Sequence, residues 1–365
     1  MKRDLWPISL KYLLLPVLVA SCRPAERQHA ATWMLAPFVK VDSVNPILSA
    51  GPGRFFCPVR KDTVRWEEKD VFNPAAVVRH GKVYLLYRAE DRLGRHAGTS
   101  RIGLAESQDG LHFARLPKPV LYPDNDSLKY YEWEGGIEDP RVVESPEGLY
   151  IMTYTAYDGQ TARLMVASSS DLLTWQKHGP ALQGPYRKVW SKSGAIVAEL
   201  QGDRVVAKKI NNRYWMYFGD TNVFIATSAN LLQWEPVAEG DQLKAVLKPR
   251  PGYFDSRLVE PGPFALVRPQ GIVLLYNAMN LEKGGDPNLP PGTYAAGQAL
   301  FSASQPTLLL NRSDQPFMVP ERPYEITGQV NKVCFIEGLV YFKNKWLLYY
   351  GTADSHIAVA IHLAQ

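Results

Sequence analysis

The stretch His80-Gly-Lys-Val-Tyr-Leu-Leu-Tyr-Arg-Ala-Glu-Asp91 decides the fold because the chain repeats its pattern. A turn residue opens the stretch, an aromatic and aliphatic strand follows, and Asp or Asn stands near its end. Further copies occupy Glu147–Asp158, Asn211–Asp220, Gln270–Asn280 and Lys343–Asp354. Their turns lie roughly 60–70 residues apart, enough for one four-stranded sheet each. The repeat predicts an all-β chain folded as a five-bladed β-propeller in a single domain.

A second repeat has the same period. Ser107–Phe113, Ser169–Trp175 and Ser228–Trp234 share a Ser-x-Asp/Asn pattern, and each follows a short apolar strand. Tyr, Trp and Val are frequent, whereas no long stretch has helical periodicity. A propeller points equivalent strand ends of every blade at one central pit. We therefore expect polar residues scattered over the whole chain to converge on one site.

Composition excludes several classes of function. The 365 residues include 41 basic and 36 acidic side chains, a formal net charge of +5. The two signs are interleaved, which is typical of a solvated surface and argues against a nucleic-acid partner. The sequence lacks a Cys-x-x-Cys motif and a histidine cluster, so we predict neither a metal site nor a cofactor.

The N-terminus has the pattern of a targeting segment. Met1-Lys2-Arg3 precedes an apolar run, Tyr12–Ala20, that is too short for a stable membrane anchor. Leu18-Val-Ala-Ser-Cys22 resembles a bacterial lipoprotein signal. We predict a signal peptide over residues 1–22 with lipidated Cys22, a tether over 23–40 and the propeller over 41–365. An uncleaved signal anchor, or a secretory signal that happens to contain a cysteine, is the alternative.

This prediction makes the protein an exported bacterial lipoprotein, periplasmic or associated with the outer membrane, that touches the membrane only through Cys22. In an oxidising compartment Cys57 and Cys334 could pair, or both could remain buried thiols. The sequence gives no indication of the oligomeric state.

The most distinctive polar segment is Gly135-Gly-Ile-Glu-Asp-Pro-Arg141. Glu138 and Asp139 are adjacent carboxylates, and adjacent carboxylates repel each other. Their placement together therefore indicates a functional site or a nearby arginine partner. The alternative is a turn in which Asp139 caps local amides and pairs with Arg141.

Several segments, in order and in register with the repeats, resemble glycoside hydrolase family 130, the β-mannoside phosphorylases and β-mannosidases built on five-bladed propellers. The resemblance runs from Asn45 to Ala358. Each matching segment is short and weak alone, but together they are specific: Val71–Ala75, Tyr87–Asp91, Ile137–Arg141, Thr153–Gly159, Lys209–Asn211, Phe254–Ser256, Gly262–Pro263 and Tyr349–Asp354.

The resemblance implies roles for individual residues. Asp139 matches the general acid of the family, and the matches to the pocket for a non-reducing-end mannose are Asn73, Arg88, Asp91 and Asp354. Carboxylates and arginine suit that pocket because they grip vicinal hydroxyls by paired hydrogen bonds. We also expect repulsion from Glu138 to raise the pKa of Asp139, so that the acid holds its proton.

Other residues are weaker candidates for substrate binding. Tyr157, and with it Trp133, could stack on a sugar face or serve as a core aromatic. The remaining candidates lie in or near the matching segments: Glu138, Arg141, Asp158, Arg163, Lys209 and Asp255.

The family contains phosphorylases and hydrolases, and the two need different sites. A phosphorylase holds a phosphate dianion with Arg, Lys or His. An inverting hydrolase needs a second carboxylate about 6.5–9.5 Å from the acid to activate water. Where the phosphorylases have His-Arg this chain has Tyr217–Asp220, and Glu260 replaces a glycine. These departures favour a hydrolase with Glu260 as the base and Asp220 as its partner or alternative.

The resemblance and these departures thus predict an exo-acting, metal-independent, inverting glycosidase that releases a terminal β-linked mannose. The resemblance alone implies β-1,2 as the expected linkage. One alternative is a β-mannoside phosphorylase that makes mannose 1-phosphate, since Arg141, Arg163, Lys192 and Lys209 could form an anion site. For Lys192, a surface position or an ion pair is the simpler reading. Two others are a non-catalytic glycan-binding lipoprotein and an arabinan-cleaving propeller enzyme, although the latter group lacks the Glu-Asp-Pro-Arg context.

Overall fold

Strands dominate this computed structural model, which describes residues 33–96 and 98–363. The helical elements there are two α-helices of four residues each and one short 3₁₀ helix. Within these ranges, none of the helices has the length and apolarity of a membrane span. The described chain is therefore all-β apart from three short turns of helix.

The chain begins with three short strands, β1 (Val39–Lys40), β2 (Phe55–Cys57) and β3 (Asp62–Val64). Strands β2 and β3 form a hairpin of their own. The first large antiparallel group follows, with its strands in chain order: β4 (Asp70–Arg79), β5 (Lys82–Glu90), β6 (Ser100–Ser107) and β7 (Ala114–Arg115).

The second group is built in the same way. Helix α1 (Lys129–Glu132) leads into it, and the 3₁₀ helix Gly184–Lys188 leaves it. Its strands pair antiparallel in chain order: β8 (Gly136–Glu144), β9 (Tyr150–Tyr157), β10 (Ala162–Ser169) and β11 (Gln176–Pro180).

The third group is the least regular, because β13 and β14 both pair with β12. Its members are β12 (Ala195–Gln201), β13 (Arg204–Ala207), β14 (Tyr214–Phe218), β15 (Val223–Ser228), β16 (Glu235–Pro236) and β19 (Ala245–Leu247). A small hairpin of β17 (Ala238–Glu239) and β18 (Gln242–Leu243) lies between the last two.

In the fourth group, two short strands in succession pair with one long strand. The group comprises β20 (Leu258–Pro261), β21 (Ala265–Arg268), β22 (Gly271–Met279), β23 (Tyr294–Phe301) and β24 (Leu309–Arg312). Helix α2 (Pro323–Ile326) precedes the fifth group, which comprises β25 (Cys334–Phe342), β26 (Lys345–Thr352) and β27 (His356–Leu363) with β1 on its outer edge.

The five groups pack in cyclic order through their first strands. Strand β4 contacts both β8 and β25, and β8 contacts β12 and β13. Strand β12 pairs in parallel with β21, and β25 contacts β22 and β23. The beginnings of these first strands carry most of the polar residues considered below.

The predicted repeats coincide with one strand of each group: β5, β9, β14, β22 and β26. Their turn residues all have positive φ, a conformation that Gly and Asn tolerate, as expected: Gly81, Gly148, Asn212, Gly271 and Asn344. The Ser-x-Asp/Asn segments share one hydrogen-bonded turn. In each, the serine hydroxyl bonds the acid or amide oxygen, which accepts two further backbone N–H groups.

The structure corrects one boundary. The predicted tether ran to residue 40, but Leu35 and Phe38 are buried. Lys40 pairs with β27 and its Nζ donates to Glu325 Oε2 at 2.7 Å. Residues 33–40 therefore pack as part of the fold. The predicted signal peptide, Cys22 and the first part of the tether lie outside the described residues, while Cys57 and Cys334 are free buried thiols.

Candidate active site

Bulges in the first strands place polar side chains at the centre of the structure. Pairing between β4 and β5 skips Asn73, and pairing between β8 and β9 skips Asp139 and Pro140. Asn73 and Asp139 both have positive φ, at 47° and 50°. A bulged residue leaves the alternation of its strand, which re-aims its side chain. Here Asn73 Nδ2 donates to Asp139 Oδ1 at 3.0 Å.

Arg88 gathers the acids on these strands. Its Nη2 donates to Glu90 at 2.7 Å and to Glu138 at 3.0 Å, and its Nη1 donates to Asp139 Oδ1 at 3.2 Å. The guanidinium also lies over the Phe72 ring, 4.7 Å from its centroid. One cation therefore holds three carboxylates that would otherwise repel one another.

The predicted increase in the pKa of Asp139 is wrong, because that pKa lies below its ordinary value. Burial raises the pKa of both carboxyls, but Arg88, Lys192 and the Asn73 amide hold the pKa of Asp139 below its ordinary value. Glu138 has the raised pKa of the pair, since its burial outweighs the attraction of Arg88 and Lys192. Asp139 can then become the proton carrier only when substrate changes the contacts of Arg88 or Asn73.

Lys192 belongs to the site, although its sequence context suggested a surface position or an ion pair. Its side chain is about one quarter exposed, and Nζ lies 3.9 Å from Glu138 Oε2. Burial lowers the pKa of Lys192, but Glu138, Asp139 and Glu260 together raise it above its ordinary value. Lys192 therefore stays charged beside the acids of two different groups.

Glu260 and Asp220 lie on the side contributed by the third and fourth groups. Ser193 Oγ donates to Glu260 Oε2 at 2.9 Å, and Trp190 Nε1 donates to Asp220 Oδ2 at 2.6 Å. Burial, and then the nearby Asp220, raise the pKa of Glu260 to about 8, against the opposing charges of Lys192 and Arg141. Glu260 thus titrates near neutrality, as suits a general base.

Asp354 and Tyr294 complete the cluster. Burial raises the pKa of Asp354 to about 7, with Arg88 opposing this and Asp139 and Glu90 adding to it. Tyr294, at the start of β23, has its pKa raised by burial and by Glu260, Asp354 and Asp220. We call Glu138, Asp139, Asp220, Glu260 and Asp354 the acid cluster.

Arg141 connects the two sides of this cluster through the backbone. Its Nε donates to the carbonyl of Gly262 at 2.6 Å and its Nη2 to that of Pro261 at 2.9 Å. Its Nη1 donates to the carbonyl of Asp139 at 3.2 Å. The strand end that carries Glu260 is thereby fixed to the bulge that carries Asp139, and these donors are occupied by carbonyls.

Two predicted binding acids are saturated by protein partners instead. Asp91 is fully buried, and its carboxylate accepts from Arg101 at 2.7 Å and from the amides of Leu93 and Thr99. Asp255 is fully buried among Arg250, Arg312 and Tyr276. Asp91, predicted for the mannose pocket, and Asp255, a weaker candidate for substrate binding, are thus bonded to protein donors in this structure.

The remaining candidates lie outside the acid cluster. Asp158 caps the turn between β9 and β10 and accepts from Arg163 Nη1 at 2.6 Å. Tyr157 packs against His96, with ring centroids 5.8 Å apart. Lys209 lies over the Tyr214 ring and lines a separate cavity with residues such as Glu147 and His178. The structure does not bring these side chains to Asp139.

Sequence reasoning missed Ser193, Tyr294 and Glu337 as members of the site. The sequence did contain a sign of the importance of Glu337, because it is the one charged residue in the otherwise uncharged strand Cys334–Phe342. Ser193 and Tyr294 could not be identified in this way, since nothing in their local sequence distinguishes them from ordinary turn and strand residues.

The site contains carboxyl groups that can transfer protons, while the cations described above are bonded to carboxylates or carbonyls. Four carboxyls of the acid cluster face Arg88 or Lys192, and the pKa values of three of these, Glu138, Glu260 and Asp354, are raised, chiefly by burial. Across residues 33–96 and 98–363, no group of three or more His, Cys, Asp or Glu side chains is placed to hold a metal ion. Acids from the second and fourth groups, whose strands are joined by Arg141, are the elements of general acid and base catalysis.

Comparisons with known proteins identify the family. The chain is 32% identical over 304 residues to a 1,2-beta-oligomannan phosphorylase of Thermoanaerobacter sp., covering 81% of this chain and 90% of the relative. A glycosyl hydrolase structure from Bacteroides ovatus is 48% identical with a TM-score of 0.87, covering 90% of this chain and 94% of that one.

A further solved structure is 46% identical with a TM-score of 0.89, covering 91% of this chain and 95% of its own. It is described as showing that the family of mannoside phosphorylases contains glycoside hydrolases that target beta-1,2 mannosidic linkages in Candida mannan. The family model described as beta-1,4-mannooligosaccharide phosphorylase matches residues 52–364. The chain belongs to glycoside hydrolase family 130.

Proposed function

We propose that this protein is an exo-acting, inverting glycosidase that releases terminal mannose from β-1,2-linked manno-oligosaccharides or glycans. Asp139 is the general acid, and Glu260 is the general base with Asp220 as its partner. The observation that carries the proposal is the placing of Glu260, held by Ser193 beside Asp220, in the cluster that contains Asp139. The five strand groups are proposed to be the blades of a propeller whose central pit is this cluster.

In the proposed reaction, Asp139 protonates the departing glycosidic oxygen, directly or through a substrate hydroxyl. Glu260 removes a proton from the water that attacks the other face of the ring, so the anomeric configuration inverts. One proton leaves Asp139 and one reaches Glu260, and exchange between them or with solvent restores the enzyme. Asn73, Arg88 and Asp354 bind the hydroxyls of the terminal mannose.

The distribution of positive charge supports hydrolysis. A phosphate dianion needs cations with free donors. The donors of Arg141 are on three carbonyls, Arg163 pairs with Asp158, and Lys209 lines another cavity. Asp220 and Glu260 would repel a phosphate on the side where it would attack.

The relatives also favour hydrolysis over phosphorolysis. Identity is 46% to the structure described in connection with hydrolases of β-1,2 linkages and 32% to the oligomannan phosphorylase. Both descriptions concern β-1,2-linked mannose, which supports that linkage for the substrate of this chain.

Phosphorolysis to mannose 1-phosphate is the second candidate, and Lys192 is the observation that favours it. Lys192 lies beside Glu138, and the charges of Asp139 and Glu260 also raise its pKa. A movement of its side chain could bring its ammonium group to a bound phosphate. A purely glycan-binding role is a third candidate, but binding alone does not require acids on two sides of the site.

Export as a lipoprotein anchored at Cys22 remains part of the proposal. It fits hydrolysis better than phosphorolysis, because an exported enzyme would lose a sugar phosphate that is useful only where phosphate metabolism is at hand. Radiolabelled palmitate incorporation, compared with a Cys22→Ala variant, would test the anchor.

The deciding experiment is incubation of the purified protein with β-1,2- and β-1,4-mannobiose, with and without inorganic phosphate. We expect free mannose from the β-1,2 substrate at a rate independent of phosphate, and α-mannose as the first anomer by NMR. Mannose 1-phosphate formed only in the presence of phosphate would replace the proposal with the second candidate. Binding without turnover of either disaccharide would support the third.

A further inference from the structure

Glu337 is a buried acid with an unusual environment. Pairing between β25 and β26 passes from Ile336 to Gly338, so Glu337 stands at a bulge in the first strand of the fifth group. Its side chain has no exposed surface. Neither carboxyl oxygen has a hydrogen-bond partner among the described residues. A charged carboxylate without a partner is very costly in such a place, whereas a protonated one is tolerated.

The bulge is held rigidly against the base side of the site. Asn277 pairs with Glu260 across β20 and β22. The side chain of Asn277 accepts from the amide of Ile336 at 2.8 Å and donates to its carbonyl at 3.0 Å. Glu337 therefore follows directly on a residue that is fixed to the strand pair of Glu260.

One nitrogen of Arg141 faces two acceptors. Nη1 lies 3.2 Å from the carbonyl oxygen of Asp139 and 3.7 Å from Glu337 Oε1. The shorter contact is made to the carbonyl, as expected while Glu337 is neutral. A carboxylate at the same place would compete for this nitrogen, because a charged acceptor binds a guanidinium more strongly than a carbonyl does.

The charged groups around Glu337 come from three strands. Arg141 and Asp139 lie on β8, Glu260 on β20 and Arg88 on β5. Burial raises the pKa of Glu337 well above its ordinary value, Arg141 and Arg88 oppose this, and Asp139 and Glu260 add to it. Burial is the largest of these effects, so the neutral form of Glu337 is favoured.

We propose that Glu337 is a positioning residue that works as a neutral acid: its proton keeps Arg141 on the Asp139 carbonyl, and loss of that proton draws Arg141 away and disorganises the site. Since Arg141 also holds the carbonyls of Pro261 and Gly262, its movement would displace Glu260 as well. The consequence is that ionisation of Glu337 adds to the loss of activity at alkaline pH, beyond the loss that follows from deprotonation of the general acid Asp139. This inference rests on the proposed roles of Asp139 and Glu260 but holds for hydrolysis and for phosphorolysis.

The test is the pH dependence of kcat/KM for wild type and Glu337→Gln, a neutral side chain of nearly the same shape. We expect the variant to keep its rate at the optimum within about threefold, and its alkaline limb to move upward by at least about 0.5 pH unit. Glu337→Met, which is also neutral and of similar length, should move the limb in the same direction. It also provides a second measurement should Gln impair folding.

Glu325→Gln is the matched control. Glu325 is as buried as Glu337, but its oxygens accept from Lys40 and Tyr350. This change should lower the melting temperature and leave the alkaline limb in place.

Two results would overturn the inference: a folded Glu337→Gln protein that is inactive at every pH, which would show that the negative charge is needed, or an alkaline limb that stays or moves downward in both Glu337 variants. Failure of the proposed function looks different: a phosphorylase would release mannose 1-phosphate, and a wrong assignment of the acid would leave Asp139→Asn active whatever Glu337 does.

Discussion

Asp255 and Glu260 lie five residues apart and are both buried, yet their surroundings are opposite. Asp255 is surrounded by Arg250, Arg312 and the Tyr276 hydroxyl, at contacts of 2.5–3.0 Å. Glu260 accepts a hydrogen bond from Ser193 and is faced by another acid, Asp220. Partner saturation, more than burial or residue type, thus separates a carboxylate that stabilises the fold from one that can exchange protons.

Asp139→Asn should give the largest effect, because Asp139 is the proposed general acid and only its Oδ1, which accepts from Asn73 and Arg88, is bonded to a side chain of the described residues. We expect kcat on unactivated mannobiose to fall by about 10³–10⁴, the upper range for loss of a general acid. The melting temperature should change little. Loss of activity without loss of stability would show that Asp139, like Glu260 and unlike Asp255, serves catalysis. Near-wild-type turnover would remove it from the mechanism.

Glu260→Gln should lower kcat by about 10²–10⁴ if Glu260 is the base. Azide, which needs no base, should restore part of the rate and give an α-mannosyl azide that NMR can identify. Asp220→Asn is the comparison variant. If both variants retained full activity, the case for hydrolysis would collapse.

The pH dependence sharpens the contrast further. Glu260 must be ionised to act as a base, so kcat/KM should fall as pH drops below about 8. Its folded pKa lies above its ordinary value, so the folded state holds a proton that the unfolded state has lost, and stability from this group decreases as pH rises toward 8. Glu260→Gln should therefore raise the melting temperature, and more at pH 9 than at pH 5.

Asp255→Asn should lower the stability of the fold and leave the activity unchanged. Removing one partner leaves Arg250 and Arg312 close together without their shared counter-charge, and breaking a buried pair costs about 3–5 kcal/mol. Denaturant unfolding should show this loss, while kcat per folded molecule should stay near wild type. A large drop in kcat with unchanged stability would mean that Asp255 binds substrate after all.

The smallest effect is expected from Trp190→Phe, which keeps an aromatic ring and removes the N–H that Asp220 accepts. We expect kcat to change by no more than about tenfold, because Asp220 assists Glu260 without replacing it and a hydrogen bond from the exposed Trp190 contributes about 0.5–1.5 kcal/mol. A loss as large as that of Glu260→Gln would make Asp220 the base.

The sequence repeats predicted the strand groups because turn chemistry and apolar alternation are local properties. The cluster of Asn73, Arg88, Glu138, Asp139 and Asp354 was also predictable, since their short motifs stand at equivalent strand ends. Glu260 and Asp220 were found as departures from the family pattern.

Partner saturation could not be predicted in the same way. Arg312 meets Asp255 from 57 positions along the chain, and the Asp91–Arg101 pair is visible only once β5 and β6 are paired. The sequence also did not predict that Lys192 lies in the site, because the acids beside it come from distant segments. A motif identifies the residue type, whereas only the assembled sheets show what else competes for it.

The pairing of β1 with β27 means that the two ends of the described chain share one sheet. Until Val39–Lys40 docks, β27 presents a row of unpaired N–H and C=O groups, a template that another molecule's strand can occupy. Closure of the fifth group therefore joins segments more than 300 residues apart. A newly synthesised chain that fails at this step would exchange its first strand with a neighbour, and domain-swapped oligomers would be its characteristic misfolded product.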